Sequence, residues 1–136
     1  MKTRNIVTCL GALSACLAIS SPAVAKDNCS GHTIGVGNAR VTINDDRTFP
    51  AHLATGECTA TGATTGKCTY KDKDGDEWTD DNEWVEGSFE GKWRNVSGTG
   101  KYAKTTSSYG WWKMVRSDPV AIWEWGGYCA LAAKKK

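Results

Sequence analysis

Beyond residue 25, no stretch of this 136-residue chain places apolar side chains at i, i+3, i+4 and i+7 over three turns. An amphipathic helix needs that spacing to bury one face. Period-two runs stand in its place. Across residues 84–94, Val85, Gly87, Phe89, Gly91 and Trp93 fall on one side, and Trp84, Glu86, Ser88, Glu90, Lys92 and Arg94 on the other. This predicts a strand with a buried first face and a polar second one. Glycines inside it suggest bends, as at the corners of barrels. Only Leu53 and Leu131 remain of the leucines past residue 25, whereas 14 of the 15 glycines and all seven tryptophans lie there. Short strands with frequent turns fit that composition.

Seven more segments read as strands: 34–44, 48–60, 67–71, 77–80, 101–107, 110–116 and 120–129. Turn residues separate them at Asn44-Asp45-Asp46, Asp72-Lys73-Asp74-Gly75, Ser97-Gly98-Thr99-Gly100 and Ser117-Asp118-Pro119. Short links imply antiparallel pairing, because parallel strands need crossovers of a dozen residues or more. Closure into a barrel would remove exposed edges. The expected fold is therefore all-β, a small antiparallel β-barrel of about eight strands, disulfide-bonded.

Met1-Lys2-Thr3-Arg4, an apolar run from Ile6 to Ile19 and Ser20-Ser21-Pro22-Ala23-Val24-Ala25 form a secretory leader with an A-x-A cleavage site. The expected organisation is a signal peptide over 1–25 and a single barrel domain over 26–136. The apolar run is about 14 residues, short of the roughly 20 needed to span a membrane. Leu13-Ser14-Ala15-Cys16 also fits a lipoprotein signal anchored at Cys16, but Leu17-Ala18-Ile19 carry the apolar run past that cysteine. The expected location is periplasmic or secreted, with no transmembrane segment in the mature form.

Two of the 17 basic residues, Lys2 and Arg4, lie in the leader, so the mature chain carries 15 basic residues against 15 acidic ones. That balance argues against nucleic acid as a partner, which calls for a basic face. Lys134-Lys135-Lys136 reads as a solvated terminus. Cys9 and Cys16 leave with the leader. The remaining four, Cys29, Cys58, Cys68 and Cys129, predict two disulfides in an oxidising compartment. Four cysteines allow three pairings. We favour Cys58–Cys68, across a turn rich in glycine and threonine, and Cys29–Cys129, which ties the domain's ends together.

Asp72-Lys73-Asp74-Gly75-Asp76 resembles a calcium loop, with Asp72, Asp74 and Asp76 as alternate oxygen ligands and Glu83 at the twelfth position. The glycine stands fourth rather than sixth and no helices flank the loop, so a hairpin turn with Gly75 at positive φ is preferred. His32 and His52 lie at no ligand spacing to a cysteine. No G-x-S-x-G, cofactor loop or free nucleophilic cysteine is present, and no cofactor is expected.

The tryptophans, Trp78, Trp84, Trp93, Trp111, Trp112, Trp123 and Trp125, can form either a core or an aromatic binding surface. Trp123 and Trp125 share a face with Cys129 and read as core. Of the adjacent Trp111 and Trp112, one points in and one out. Trp84, on the polar face of its strand, is expected to be exposed. Glu124 lies between two tryptophans on the opposite face. It would be a buried acid only if that face lined a cavity, and an outward glutamate is the plainer reading. The candidate binding residues are thus Trp84, Trp111, Trp112 and Glu124.

Ser97-Gly98-Thr99-Gly100-Lys101-Tyr102-Ala103, with Gly110 following, resembles the G-T-G-[KR]-[YF]-A turn of the allene oxide cyclase-like and dirigent-like barrel group. The likeness covers about 15 residues well and residues 67–129 loosely. It implies an eight-stranded barrel with an apolar cavity, and a tight turn feeding Tyr102 into the next strand. The cysteines and the tryptophan-rich C-terminal half are closer to the group's small secreted bacterial relatives than to its plant members. No catalytic residue carries over. The favoured function is non-enzymatic binding of a small apolar or aromatic molecule. The alternatives are a cyclase or isomerase of the allene oxide cyclase kind, which needs a polar residue inside the cavity, and a cell-envelope or glycan interaction module built on exposed tryptophan. Nothing in the chain specifies the ligand or an oligomeric state.

Overall fold

The computed structural model describes residues 27–45 and 53–130. The expected leader with Cys9 and Cys16, His52, the first part of the 48–60 segment and the lysine tail lie outside the described residues.

The described chain is an eight-stranded, closed antiparallel barrel: β1 (Cys29–Val36), β2 (Ala39–Asn44), β3 (Leu53–Ala60), β4 (Thr65–Asp72), β5 (Glu77–Trp84), β6 (Glu90–Gly98), β7 (Tyr109–Arg116) and β8 (Ala121–Tyr128). Each strand pairs with the next, and β8 closes onto β1 from Cys29↔Gly127 to Gly35↔Ala121. Eight strands leave an interior that side chains can just fill, or that holds one small ligand. Among the described residues no helix is long and apolar enough to cross a membrane.

The strand count agrees with expectation, but three assignments change. Segment 34–44 is a hairpin, not one strand, because Gly37 at φ +59 turns the chain between β1 and β2. Segment 101–107 is not a strand. Gly100–Tyr102 forms a single 3-10 turn, and the chain runs on in turns to β7. Tyr102 is therefore not fed into a strand. It folds inward and is only 1 % exposed. The strand read over 84–94 starts at Glu90, with Val85 and Gly87 in the preceding turn and Gly87 at φ +77.

Space for the interior indoles comes from glycine. Gly31 faces Trp125, Gly91 faces Trp112 and Gly110 faces Trp93 across neighbouring strands. A Cβ at any of these glycines would overlap the opposing indole. Each ring thus lies flat on the bare backbone next door. Aliphatic side chains, by contrast, sit outside: Ile122, Ile34 and Val41 form one cross-strand row on the outer face of β8, β1 and β2.

Both disulfides are those expected. Cys58–Cys68 joins directly paired residues of β3 and β4, and Cys29–Cys129 staples the seam where β8 meets β1. They fit an oxidising compartment.

One end of the barrel is sealed by a polar latch. The Asp72 carboxylate accepts the Asp74 and Asp76 backbone N–H groups through Oδ1, at 2.9 and 3.2 Å. Through Oδ2 it accepts the Tyr102 hydroxyl at 2.9 Å and the Lys101 ammonium at 2.6 Å. Lys101 also reaches Asp74 Oδ2 at 2.7 Å and Asp76 Oδ2 at 3.9 Å. Thr99 and Glu77 exchange hydrogen bonds alongside. Gly100, at φ +51, presses against the Asp76 carboxylate where no side chain would fit. The G-T-G-K-Y segment is thus the partner of the aspartate turn. The hairpin turn at Gly75 is as expected, with φ +85, and the Lys101 ammonium stands at the focus of the three carboxylates that suggested a calcium loop.

Candidate functional site

Above the latch the barrel holds a cavity of about 570 Å³. Its floor is a short aromatic stack. Trp78 lies between Tyr70, at 5.1 Å between ring centroids, and Tyr102, at 4.6 Å. Six of the seven tryptophans line the cavity: Trp78, Trp84, Trp93, Trp112, Trp123 and Trp125. They brace one another edge to face, Trp93 on Trp125 and Trp84 on Trp112. The mouth lies at the end bearing the β1–β2 and β5–β6 turns. Phe89 lines the cavity there and is 69 % exposed, so the cavity reaches solvent at that point.

Polar groups form a stripe through this aromatic wall. β5 turns Trp78, Asp80, Asn82 and Trp84 inward in alternation, and β6 answers with Trp93 and Asn95. The register shifts between Thr79 and Asp80, where Thr79 opposes Ser97 but Asp80 opposes Asn95, leaving Val96 as the extra residue of a bulge. Bulges re-aim side chains and are common beside functional sites. This one sets Asp80 and Asn95 side by side on the cavity wall.

Among the described residues, Asp80 is the one acidic side chain lining the cavity. Its Oδ2 accepts the Trp78 indole N–H at 3.2 Å, and its Oδ1 accepts the Asn95 amide at 3.3 Å. Burial pushes its carboxyl up to about 7. The two hydrogen bonds oppose that rise, and the neighbouring Asp81 charge adds to it. Tyr70, on β4, is also raised by burial and shares a field with Asp80 and Arg40. Arg40 stacks on Trp123 at 4.6 Å and donates to the Gly37 and Ala39 carbonyls, so its guanidinium is held at the mouth.

Two of the candidate residues from the sequence meet in this cavity and two do not. Trp84 and Trp112 line it, with ring centroids 6.1 Å apart. Trp84 is half-buried rather than exposed, because it belongs to the inward row of β5 and not to the polar face of β6. It therefore does not centre an external aromatic platform. Trp111 points outward, 42 % exposed, with its indole N–H on Asp27 Oδ2 at 3.2 Å. Glu124 also lies on the outer face, opposite His32, whose Nε2 is 4.0 Å from its carboxylate and whose Nδ1 is 3.2 Å from Asp45. It is not a cavity acid. The residue that holds that place, Asp80, was hidden in the polar run Asp80-Asp81-Asn82-Glu83. Its signal was parity: Asp80 shares alternation with Trp78 and Trp84, which flank it on the same face.

Compared with protein-family models, curated proteins and solved structures, the chain finds no match.

Proposed function

We propose that this protein is an exported binding protein that holds one small apolar or aromatic molecule inside its barrel without transforming it. The observation that carries this reading is the tryptophan-walled cavity, open at one end and sized for a small ligand. The leader and the disulfides support export into an oxidising compartment. The resemblance to the allene oxide cyclase-like and dirigent-like group, whose cavity steers reactive lipid or phenolic molecules, supports a cavity that takes such a ligand. To test the reading, protein from its exported fraction is weighed under native and denaturing conditions and then titrated with a panel of small aromatics. A bound mass, or a one-to-one ligand that quenches tryptophan emission, is expected. A protein that carries nothing and answers to no member of the panel refutes it.

Asp80 favours a second reading, a cyclase or isomerase, because a carboxyl that titrates near neutrality can take and return a proton inside an apolar cavity. That reading requires Asp80→Asn to bind a substrate normally and fail to turn it over.

A further inference from the structure

Among the described residues, the cavity's carboxylate has hydrogen-bond donors but no counter-charge. Asp80 takes part in none of the ion pairs among the described residues, whereas its neighbour Asp81 pairs with both Lys67 and Arg94. The cationic groups that reach the cavity are engaged elsewhere. Lys67 is on Asp81, and Arg40 is on two backbone carbonyls and the Trp123 face. The two groups that do touch Asp80 are neutral. The Trp78 indole and the Asn95 amide supply one N–H to each oxygen, which leaves each oxygen able to accept again. Donors so placed suit an ionised carboxylate, and a buried carboxylate without a cation is costly. The aromatic walls beside it offer π faces that attract cations.

From this arrangement we propose that the ligand is a small organic cation, an amine whose ammonium meets Asp80 and whose apolar body lies between the tryptophan walls. The inference rests on the cavity-binding reading above and names its ligand class. An ammonium at Asp80 restores the missing charge, and so draws the carboxyl down from the elevated value that burial imposes. Amine binding therefore releases a proton near neutral pH and weakens in acid. The other titratable groups facing this space do not produce that dependence. Burial moves Tyr70 on β4 upward, away from neutrality, and burial with the Asp72 contact does the same to Tyr102. Arg40 on β2 remains a guanidinium cation. Lys67 on β4 is engaged with Asp81, which lies on the outer face of β5.

Calorimetric titration with 2-phenylethylamine, 2-phenylethanol and phenylacetate, matched in shape and differing in charge, tests the proposal. At pH 8 the amine should bind at least tenfold more tightly than the alcohol, with phenylacetate weakest. The amine's advantage should shrink at least severalfold by pH 5.5. Asp80→Asn should erase the preference of the amine over the alcohol and its pH dependence. Equal binding of amine and alcohol, or tighter phenylacetate, overturns the cationic ligand while sparing the cavity reading. No binding by any of the three, with tryptophan emission unmoved, overturns both. If Asp80→Asn does not fold, the charge series and its pH profile on the wild-type protein still decide the matter.

Discussion

Replacing Asp72 by alanine should unlatch the sealed end of the barrel, and its cost can be worked from the contacts. The Asp72 side chain is 2 % exposed and gathers four donors. The Asp74 and Asp76 amides lie in a surface turn, where water can replace the lost acceptor at small cost. Tyr102 cannot recover in this way. Buried at 1 % exposure, its hydroxyl would lose its acceptor, a penalty of about 1–3 kcal/mol. Removing one partner of a buried ion pair costs about 3–5 kcal/mol, but Lys101 is 25 % exposed and keeps Asp74, so its share falls below that range. Together these losses give about 3–4 kcal/mol, or roughly 12–16 °C in Tm for a domain of about 100 residues. Urea unfolding followed by tryptophan emission at pH 7 measures it. The effect must also depend on pH in one direction. Burial works to raise Asp72, yet the Lys101, Tyr102 and Asp74 N–H contacts outweigh it and hold the carboxyl below its usual range. A depressed carboxyl stabilises the fold above its unfolded value near 4 and loses that contribution as pH falls through the folded value. The gap between wild type and Asp72→Ala should thus stay flat above about pH 5 and close in stronger acid. Adding Tyr102→Phe, which removes the hydroxyl that bonded Asp72, should recover about 1 kcal/mol or more relative to simple additivity. A cost under 1 kcal/mol, or strict additivity with Tyr102→Phe, would refute the latch.

Three further outcomes follow from the same contacts. Loss of Cys29–Cys129, which spans 100 residues, should cost about 2 kcal/mol more than loss of Cys58–Cys68, which spans 10, as paired Cys→Ser variants in urea would show. Gly91→Ala should cost about 1–3 kcal/mol and change the near-ultraviolet circular dichroism, because the new methyl meets the Trp112 ring and the Glu83 carbonyl. Asp80 has a raised carboxyl, so it lowers stability as pH climbs from about 4 to about 7. Asp80→Asn should flatten that decline, which at about 1.4 kcal/mol per unit amounts to no more than roughly 4 kcal/mol, in unfolding curves taken across that range.

The strands were legible where alternation is uninterrupted. β7 and β8 were read to within a residue or so, since turn residues bound both strands and Trp123 and Trp125 alternate along one face, but which of Trp111 and Trp112 turns inward was not legible. The β1–β2 turn was missed although it left a mark, for the apolar residues change parity across Gly37-Asn38, from Ile34 and Val36 to Ala39, Val41 and Ile43. The faces of β6 were legible from Glu90 to Arg94, with Gly91 and Trp93 inward as expected, but those of β5 were harder still. The usual rule puts aliphatics inside, and this barrel puts Ile34, Val41 and Ile122 outside, with tryptophan, asparagine and aspartate within. The rule fails because the interior is a cavity wall rather than a packed core. The bulge at Val96 adds one residue of phase that no composition signal marks. Tyr102 misled for a related reason: strand-like neighbours surround a residue whose partner, Asp72, lies 30 positions away.

Indole N–H resonances offer the most direct test of a ligand held inside this barrel, since six tryptophans line the cavity and Trp111 alone faces outward. Titrating isotope-labelled protein with a small aromatic should shift the signals of Trp78, Trp84, Trp93, Trp112, Trp123 and Trp125 together while Trp111 stays still. A spectrum in which Trp111 moves and the interior six do not would contradict the account.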